Sequence, residues 1–250
     1  MFLIKNLKKY DLIRYISRIP KSLALALILF LNKSPKKGSK LWLIYKENYY
    51  GGFVTNIRRN VISNQDERNL ENSTHRYTGG DRMFHHNYAK YYSSKLKKFL
   101  NKKICLCEVG ILRGSGLAVW SDLFQGSRII GLDIDLTHFN DNLRFLKSKN
   151  AFSLKDPELY IFDQFKSNNK KIKNFLNGDK VNVVIDDGHH SDESIMQTFK
   201  SFLPFLDANF VYFIEDNKNI APMLKVFLNE NKKPWILESY GYMTIIESRS

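Results

Sequence analysis

The sequence predicts an α/β fold with an open, mainly parallel sheet and helices on both faces. Three observations predict it. From Ile104 onward, short apolar runs alternate with segments of helical periodicity. The first of those runs enters a glycine-rich turn, and the chain closes on two β-like segments around Gly241. Strands that alternate with helices bury both sheet faces, which is the signature of parallel pairing.

Strands are expected near 104–109, 128–133, 159–162, 181–186 and 210–215. Helices are expected near 115–125, 138–148, 168–177, 191–206 and 218–230. Trp235–Glu238 and Tyr242–Glu247 form the closing hairpin, which makes the last strand antiparallel. Upstream, His85–Leu100 carries a helical pattern, 63–75 is polar and loop-like, and 41–62 is aromatic-rich around Gly51-Gly52. Residues 32–40, Asn-Lys-Ser-Pro-Lys-Lys-Gly-Ser-Lys, read as a linker. The chain thus divides into a basic extension, 1–75, and an α/β domain, 76–250.

Charge follows the same division. The formal net charge is +14, and residues 1–60 hold 13 Lys/Arg against Asp11 and Glu47, which leaves about +3 for the rest. A basic region suits anionic lipid, nucleic acid or an anionic substrate. No nucleic-acid-binding motif accompanies it, so no nucleic acid partner is expected. Residues 3–31 read as one or two amphipathic helices, which either pack on the body or lie on a membrane surface. The apolar run Leu23–Leu31 is too short to cross a bilayer, and Asn32-Lys33-Ser34-Pro35 is no small-residue cleavage site. The expected location is cytoplasmic, with contact at the inner face of the membrane as the alternative to packing on the body. The two cysteines, Cys105 and Cys107, sit two apart in an apolar run and are expected as buried thiols.

Glu108-Val109-Gly110-Ile111-Leu112-Arg113-Gly114-Ser115-Gly116 follows the first strand. The spacing is neither that of dinucleotide folds nor that of a P-loop. The helix opening there offers free amides to a polar or anionic group. Asp133 ends the second strand, where an acid can accept hydrogen bonds from ribose hydroxyls. Loop, strand and acid together are similar to the class I methyltransferases, whose Rossmann-like sheet has seven strands with the last antiparallel, and whose cofactor is S-adenosylmethionine. On that similarity the cofactor residues are Glu108, Gly110, Gly114, Gly116, Asp133 and Asp186, with Asp163 and Gln164 placed to reach the adenine. A glycine-rich turn beside an ordinary strand-end acid is the alternative.

Two further strands end in acids, at Asp186-Asp187 and Glu215-Asp216. Asp187, Glu215 and Asp216 could converge at one sheet edge, where three carboxylates repel one another unless a cation neutralises them. All-oxygen ligands favour a hard ion such as Mg²⁺ over zinc. His190 would stand beside it and take a proton from a bound hydroxyl. The alternative is a set of solvated acids capping the next helix, a role that suits Asp187 or Ser191.

Residues 77–216 as a whole resemble the metal-dependent sugar O-methyltransferases of macrolide and polyketide tailoring, with the cephalosporin-hydroxylase-like proteins as relatives. The resemblance runs through Gly80-Asp81-Arg82, His85-His86-Asn87-Tyr88, Gly131-Leu132-Asp133, Ile185-Asp186-Asp187-Gly188-His189-His190 and Ile214-Glu215-Asp216. It implies Asp187, Glu215 and Asp216 as magnesium ligands and His190 as the base. Asp81, His86 and Tyr88 would close over the cofactor. Arg82 stands where that family tends to have Lys, and His189 where it often has Ser, so His189 is a second candidate base. The implied activity is O-methylation of a sugar hydroxyl on a glycan, nucleotide-linked sugar or natural product, with an anionic acceptor and a homo-oligomer both compatible. A phosphate-like or phenolic acceptor on a cell-surface precursor is one alternative. A non-catalytic cofactor-binding protein that docks on a membrane or partner is another.

Overall fold

A computed structural model describes residues 35–51, 82–84 and 86–249 of the 250-residue chain. The helices expected over 3–31, the Gly80-Asp81 pair, His85 and most of the boundary near residue 75 lie outside the described residues.

Among the described residues, two short helical segments precede the sheet: α1 (Lys40–Gly51) and α2 (Ala89–Lys95), the latter running into a 3₁₀ turn at Leu96–Phe99. The rest alternates: β1 (Cys105–Val109), α3 (Ser115–Leu123), β2 (Arg128–Asp133), α4 (Thr137–Ser148), β3 (Glu158–Ile161), α5 (Asn169–Leu176), β4 (Val181–Asp186), α6 (Asp192–Phe202), β5 (Leu206–Ile214) and α7 (Ile220–Glu230). The hairpin β6 (Trp235–Tyr240) and β7 (Met243–Ser248) closes the chain. The sheet order is β3-β2-β1-β4-β5-β7-β6. β1 to β5 pair in parallel, and β7 inserts antiparallel between β5 and β6. This is the Rossmann-like class I methyltransferase fold that the strand pattern predicts.

Side-chain alternation along the strands splits the core into two layers. Leu106, Val183, Ile185, Phe213 and Ile245 face α2 and α3 and pack with Tyr92, Trp120 and Phe99. Cys107, Val184, Tyr212, Ile214 and Ile246 face the other way and pack with Phe175, Phe199 and Leu224. Cys105 and Cys107 are free and buried in that second layer.

Boundaries move where local chemistry overrides the pattern. The helix expected to reach 206 ends at Phe202, and Pro204 sits in a 3₁₀ turn that lets β5 start at Leu206. Its other end is sharp because Ser191 accepts a hydrogen bond from the Ser194 amide, with Asp192 and Glu193 in the first turn. Residues 41–51 of the aromatic-rich stretch are helical as part of α1, with 52–62 outside the described residues, and buried Glu47 accepts the Met83 amide at 2.8 Å, tying α1 to the segment that carries Arg82. Among the described residues no helix is long and apolar enough to cross a membrane.

Candidate active site

The carboxyl ends of β2, β1, β4 and β5 are laced by backbone hydrogen bonds. Gly110 N donates to Leu132 O at 2.8 Å, Asp187 N to Val109 O at 2.8 Å, and Glu215 N to Asp186 O at 2.9 Å. The glycine turn and the two acidic strand ends therefore form one rigid edge, at the place where open α/β sheets bind ligands.

Gly110 has φ +82° and is pressed against the β4 loop, so only glycine fits both its backbone and its space. Gly114, with φ +77°, is the N-cap of α3 and supplies no side-chain cap, which leaves the first-turn amides of that helix facing the edge. Gly116 answers a different need. A Cβ there would lie 2.8 Å from Arg82 Nη1 and 2.8 Å from Glu108 Oε2.

Asp133 projects from the end of β2 as expected, and both of its oxygens already accept backbone amides. Oδ2 accepts the Ile111 amide at 2.9 Å and the Leu112 amide at 3.1 Å, while Oδ1 accepts the Asp135 amide at 3.2 Å. The acid thus holds the glycine turn in shape as well as presenting a carboxylate edge.

Gln164 is buried and works as a strut. Its Nε2 donates to Asp186 Oδ1 at 2.8 Å and to Thr198 Oγ1 at 3.0 Å, and its Oε1 accepts the His189 amide at 2.7 Å. Both ends of the amide bond inside the protein and tie the β4 loop to β4 and α6. Asp163 serves its own turn, accepting the Phe165 amide at 3.0 Å and pairing with Lys166 at 2.9 Å. Asp186 is buried beneath the loop; desolvation pushes its carboxyl up to about 7, against the opposing hydrogen bond from Gln164.

Arg82 is the hub of the site. Its Nη1 lies 2.6 Å from Glu108 Oε1, its Nη2 2.5 Å from Asp187 Oδ2 and its Nε 3.0 Å from Glu215 Oε1. The guanidinium also sits 5.9 Å from the Trp120 ring centroid. Burial opposes its charge, yet Glu215, Asp187 and Glu108 together hold it well above its usual range. Glu215 receives a further hydrogen bond from the Tyr92 hydroxyl. Burial pushes Glu215 and Glu108 up, with Arg82 opposing both shifts.

On the outer side of Asp187, a second group forms. Asp187, His190 and Asp216 each bring one ligand atom within 4.8 Å of the others, a spacing that suits a shared cation. His190 Nε2 lies 3.9 Å from Asp187 Oδ1. Asp216 accepts the Tyr88 hydroxyl at 2.7 Å, and His86, stacked on Tyr88, brings Nδ1 to 3.9 Å from the same carboxylate oxygen. Burial and then Asp187 push the Asp216 carboxyl up. His190 (φ 66°) and Asp216 (φ 55°) both adopt left-handed backbone, a strained arrangement held by the surrounding loops.

Most expected site residues therefore meet at one edge: Glu108, Gly110, Gly114, Gly116, Asp133, Asp186, Asp187, His190, Glu215 and Asp216, with His86 and Tyr88 closing one side. Three of the expected groups have other partners within the protein. Glu215, expected beside Asp187 and Asp216 on one ion, is turned to Arg82 and Tyr92 and stands outside the Asp187–His190–Asp216 group. Gln164 and Asp163, expected at the adenine, bond within the protein. His189, the second candidate base, faces the Phe165 ring at 4.8 Å, and burial followed by His190 lowers its pKa. Asp81 lies outside the described residues. Arg82, Tyr92 and Trp120 were not expected as site residues. The signal for Arg82 was its place in the Gly80-Asp81-Arg82 motif ahead of four strand-end carboxylates.

No protein-family model and no curated protein matches the sequence. Among solved structures, the fold is similar to the MycE methyltransferase from the mycinamycin biosynthetic pathway. With Mg and SAH in one crystal form, that similarity has a TM-score of 0.51 at 19% identity, covering 65% of this chain and 50% of that one. With Mg, SAH and mycinamycin VI, the TM-score is 0.50 at 19% identity, over 65% and 50% of the two chains. The match thus spans about half the length of those proteins, and at this identity it speaks for the fold.

Proposed function

We propose that this chain is an S-adenosylmethionine-dependent O-methyltransferase that acts on a sugar hydroxyl with the help of a hard divalent cation such as Mg²⁺. One observation carries the reading: Asp187, His190 and Asp216 converge within 4.8 Å at the same sheet edge as the glycine turn and Asp133. The Mg and SAH bound by the structurally similar MycE agree with it.

The residues present fit both groups. The uncapped first turn of α3 and the carboxylate of Asp133 suit a ligand with a ribose and a polar tail. Asp187 Oδ1 and Asp216 are carboxylate donors suited to a hard ion, and both lie beside an imidazole. A bound divalent cation makes a coordinated hydroxyl easier to deprotonate. S-adenosylmethionine, when bound, supplies an electrophilic methyl group.

His190 accepts the hydroxyl proton. The nearby Asp187 carboxylate stabilises the imidazolium that results, and the backbone bonds of the β4 loop fix its position. Tyr88 and His86 hold Asp216 and cover one side of the edge. Alignment of acceptor and methyl donor on this rigid edge supplies the remainder of the catalysis.

The test is transfer of labelled methyl from S-adenosylmethionine to a panel of nucleotide sugars and glycan fragments, with and without EDTA. Transfer to a sugar that EDTA abolishes is expected. Full activity in EDTA removes the cation, and failure to bind S-adenosylhomocysteine in calorimetry removes the cofactor. His190→Ala is expected to retain S-adenosylhomocysteine binding while losing about 100-fold or more in turnover.

A further inference from the structure

We propose that Arg82 is a built-in positioning cation, which takes Glu215 away from the metal and leaves Asp187 and Asp216 as the ion's carboxylate ligands, with His190 beside them as the base. This rests on the metal reading of the site given above.

The charge pattern leads there. Of the carboxylates at this edge, four surround Arg82 and the outer group: Glu108, Asp187, Glu215 and Asp216. Arg82 pairs with the first three, at 2.6, 2.5 and 3.0 Å. A planar guanidinium with several donors can bridge three acids at once, which a lysine ammonium does poorly. The carboxylates of Glu108 and Glu215 are 1% exposed, and Arg82 itself is buried, so these pairs are shielded from water and salt. The surroundings are shaped to seat it. Gly116 has no side chain where a Cβ would crowd Arg82 Nη1, Trp120 offers its ring, and the Tyr92 hydroxyl donates to Glu215. Glu215 thus has its Oε1 engaged by both Arg82 and Tyr92, and it stands outside the Asp187–His190–Asp216 group.

Asp187 links the two halves of the site. Its Oδ2 is held by Arg82, while Oδ1 points to His190 Nε2 at 3.9 Å, on the side of Asp216. Arg82 therefore orients Asp187 by fixing one oxygen, and the other oxygen remains for the outer group. A divalent ion drawn inward to Glu215 would approach the guanidinium and be repelled by it. The same residue joins the segment carrying His86 and Tyr88 to the strand ends. Tyr88 N donates to the Arg82 carbonyl at 3.1 Å, and Tyr88 OH reaches Asp216.

Binding of Mn²⁺, measured by the spin-resonance signal of the free ion, tests this without an acceptor. Four full-length proteins are compared: wild type, Glu215→Gln, Asp216→Asn and Arg82→Gln, each checked for folding by thermal unfolding. Glu215→Gln is expected to hold Mn²⁺ within about threefold of wild type, and Asp216→Asn to lose about tenfold or more. Arg82→Gln removes a positive charge and frees Glu215, so it should bind Mn²⁺ about tenfold more tightly. A loss in Glu215→Gln as large as in Asp216→Asn overturns the proposal. Should Arg82→Gln not fold, the contrast between Glu215→Gln and Asp216→Asn decides alone. If wild type takes up no Mn²⁺ and Arg82→Gln does, the metal reading falls and the resident cation stands. If neither binds it, both fall.

Discussion

Gly110 is packed against the backbone of Asp187: a Cβ at residue 110 would lie 2.5 Å from the Asp187 carbonyl carbon and 2.6 Å from Gly188 Cα. The turn expected to hold the cofactor and the loop expected to perform the chemistry are thus in direct backbone contact. A shift in one displaces the other.

Gly110→Ala is therefore expected to cost more than its left-handed backbone alone. At Gly178, φ is +95° and nothing lies within 4 Å of a Cβ, so Gly178→Ala isolates the conformational cost, about 1 kcal/mol. Gly110→Ala adds a clash with backbone that cannot step aside, for a total of about 3 kcal/mol or more. Urea unfolding of the two variants measures the difference, and equal costs would show that the loops are not packed this way.

Asp133 holds the turn through the Ile111 and Leu112 amides. Asp133→Ala leaves those amides unpaired and removes the carboxylate proposed for the ribose. Affinity for S-adenosylhomocysteine is expected to fall by about tenfold or more, since hydrogen bonds to charged groups contribute about 1.5–3 kcal/mol. Calorimetry checks it, and unchanged affinity would place the ribose elsewhere.

Tyr92 and Tyr88 each donate to a carboxylate, and their removal should read out differently. Tyr92→Phe strips a donor from fully buried Glu215, with an expected loss of about 1–3 kcal/mol in unfolding free energy. Tyr88→Phe releases Asp216 in the outer group, so it should alter Mn²⁺ affinity more than stability. Urea curves and Mn²⁺ titrations on both variants separate the roles.

Asp186 makes stability pH-dependent. Burial raises its folded pKa to about 7, from an ordinary carboxylate value of 3.8. Between those values the folded protein holds a proton that the unfolded chain has released. Stability contributed by the protonated acid is therefore present below about pH 4 and is lost as pH rises through 7. Asp186→Asn keeps an oxygen for Gln164 Nε2 and cannot ionise. It should be more stable than wild type at pH 8 by up to about 4 kcal/mol, with the gap narrowing toward pH 5. Urea unfolding in EDTA at the two pH values checks the sign, and a gap that widens toward low pH contradicts it.

The sequence by itself determined the order of strands and helices and the glycine turn. It also determined the acids at the ends of β2, β4 and β5. Those features are local. Side chains alternate along a strand, helices repeat every 3.6 residues, and an apolar run that stops at an acid marks a strand end. Parallel pairing then carries Asp133, Asp187 and Asp216 to one edge whatever their separation in the chain. Tertiary structure alone decided how the site's charges are paired. Arg82 reaches Asp187 across 105 residues, and Tyr88 reaches Asp216 across 128. No periodicity encodes such contacts, because they depend on how the segment before β1 folds back over the sheet. Glu215 and Asp216 are neighbours in sequence at a strand end, but one turns inward to Arg82 and the other outward to His190 and Tyr88. Burial separates them: the inward carboxylate needs a fixed counter-charge, and the outward one keeps an edge open to a ligand.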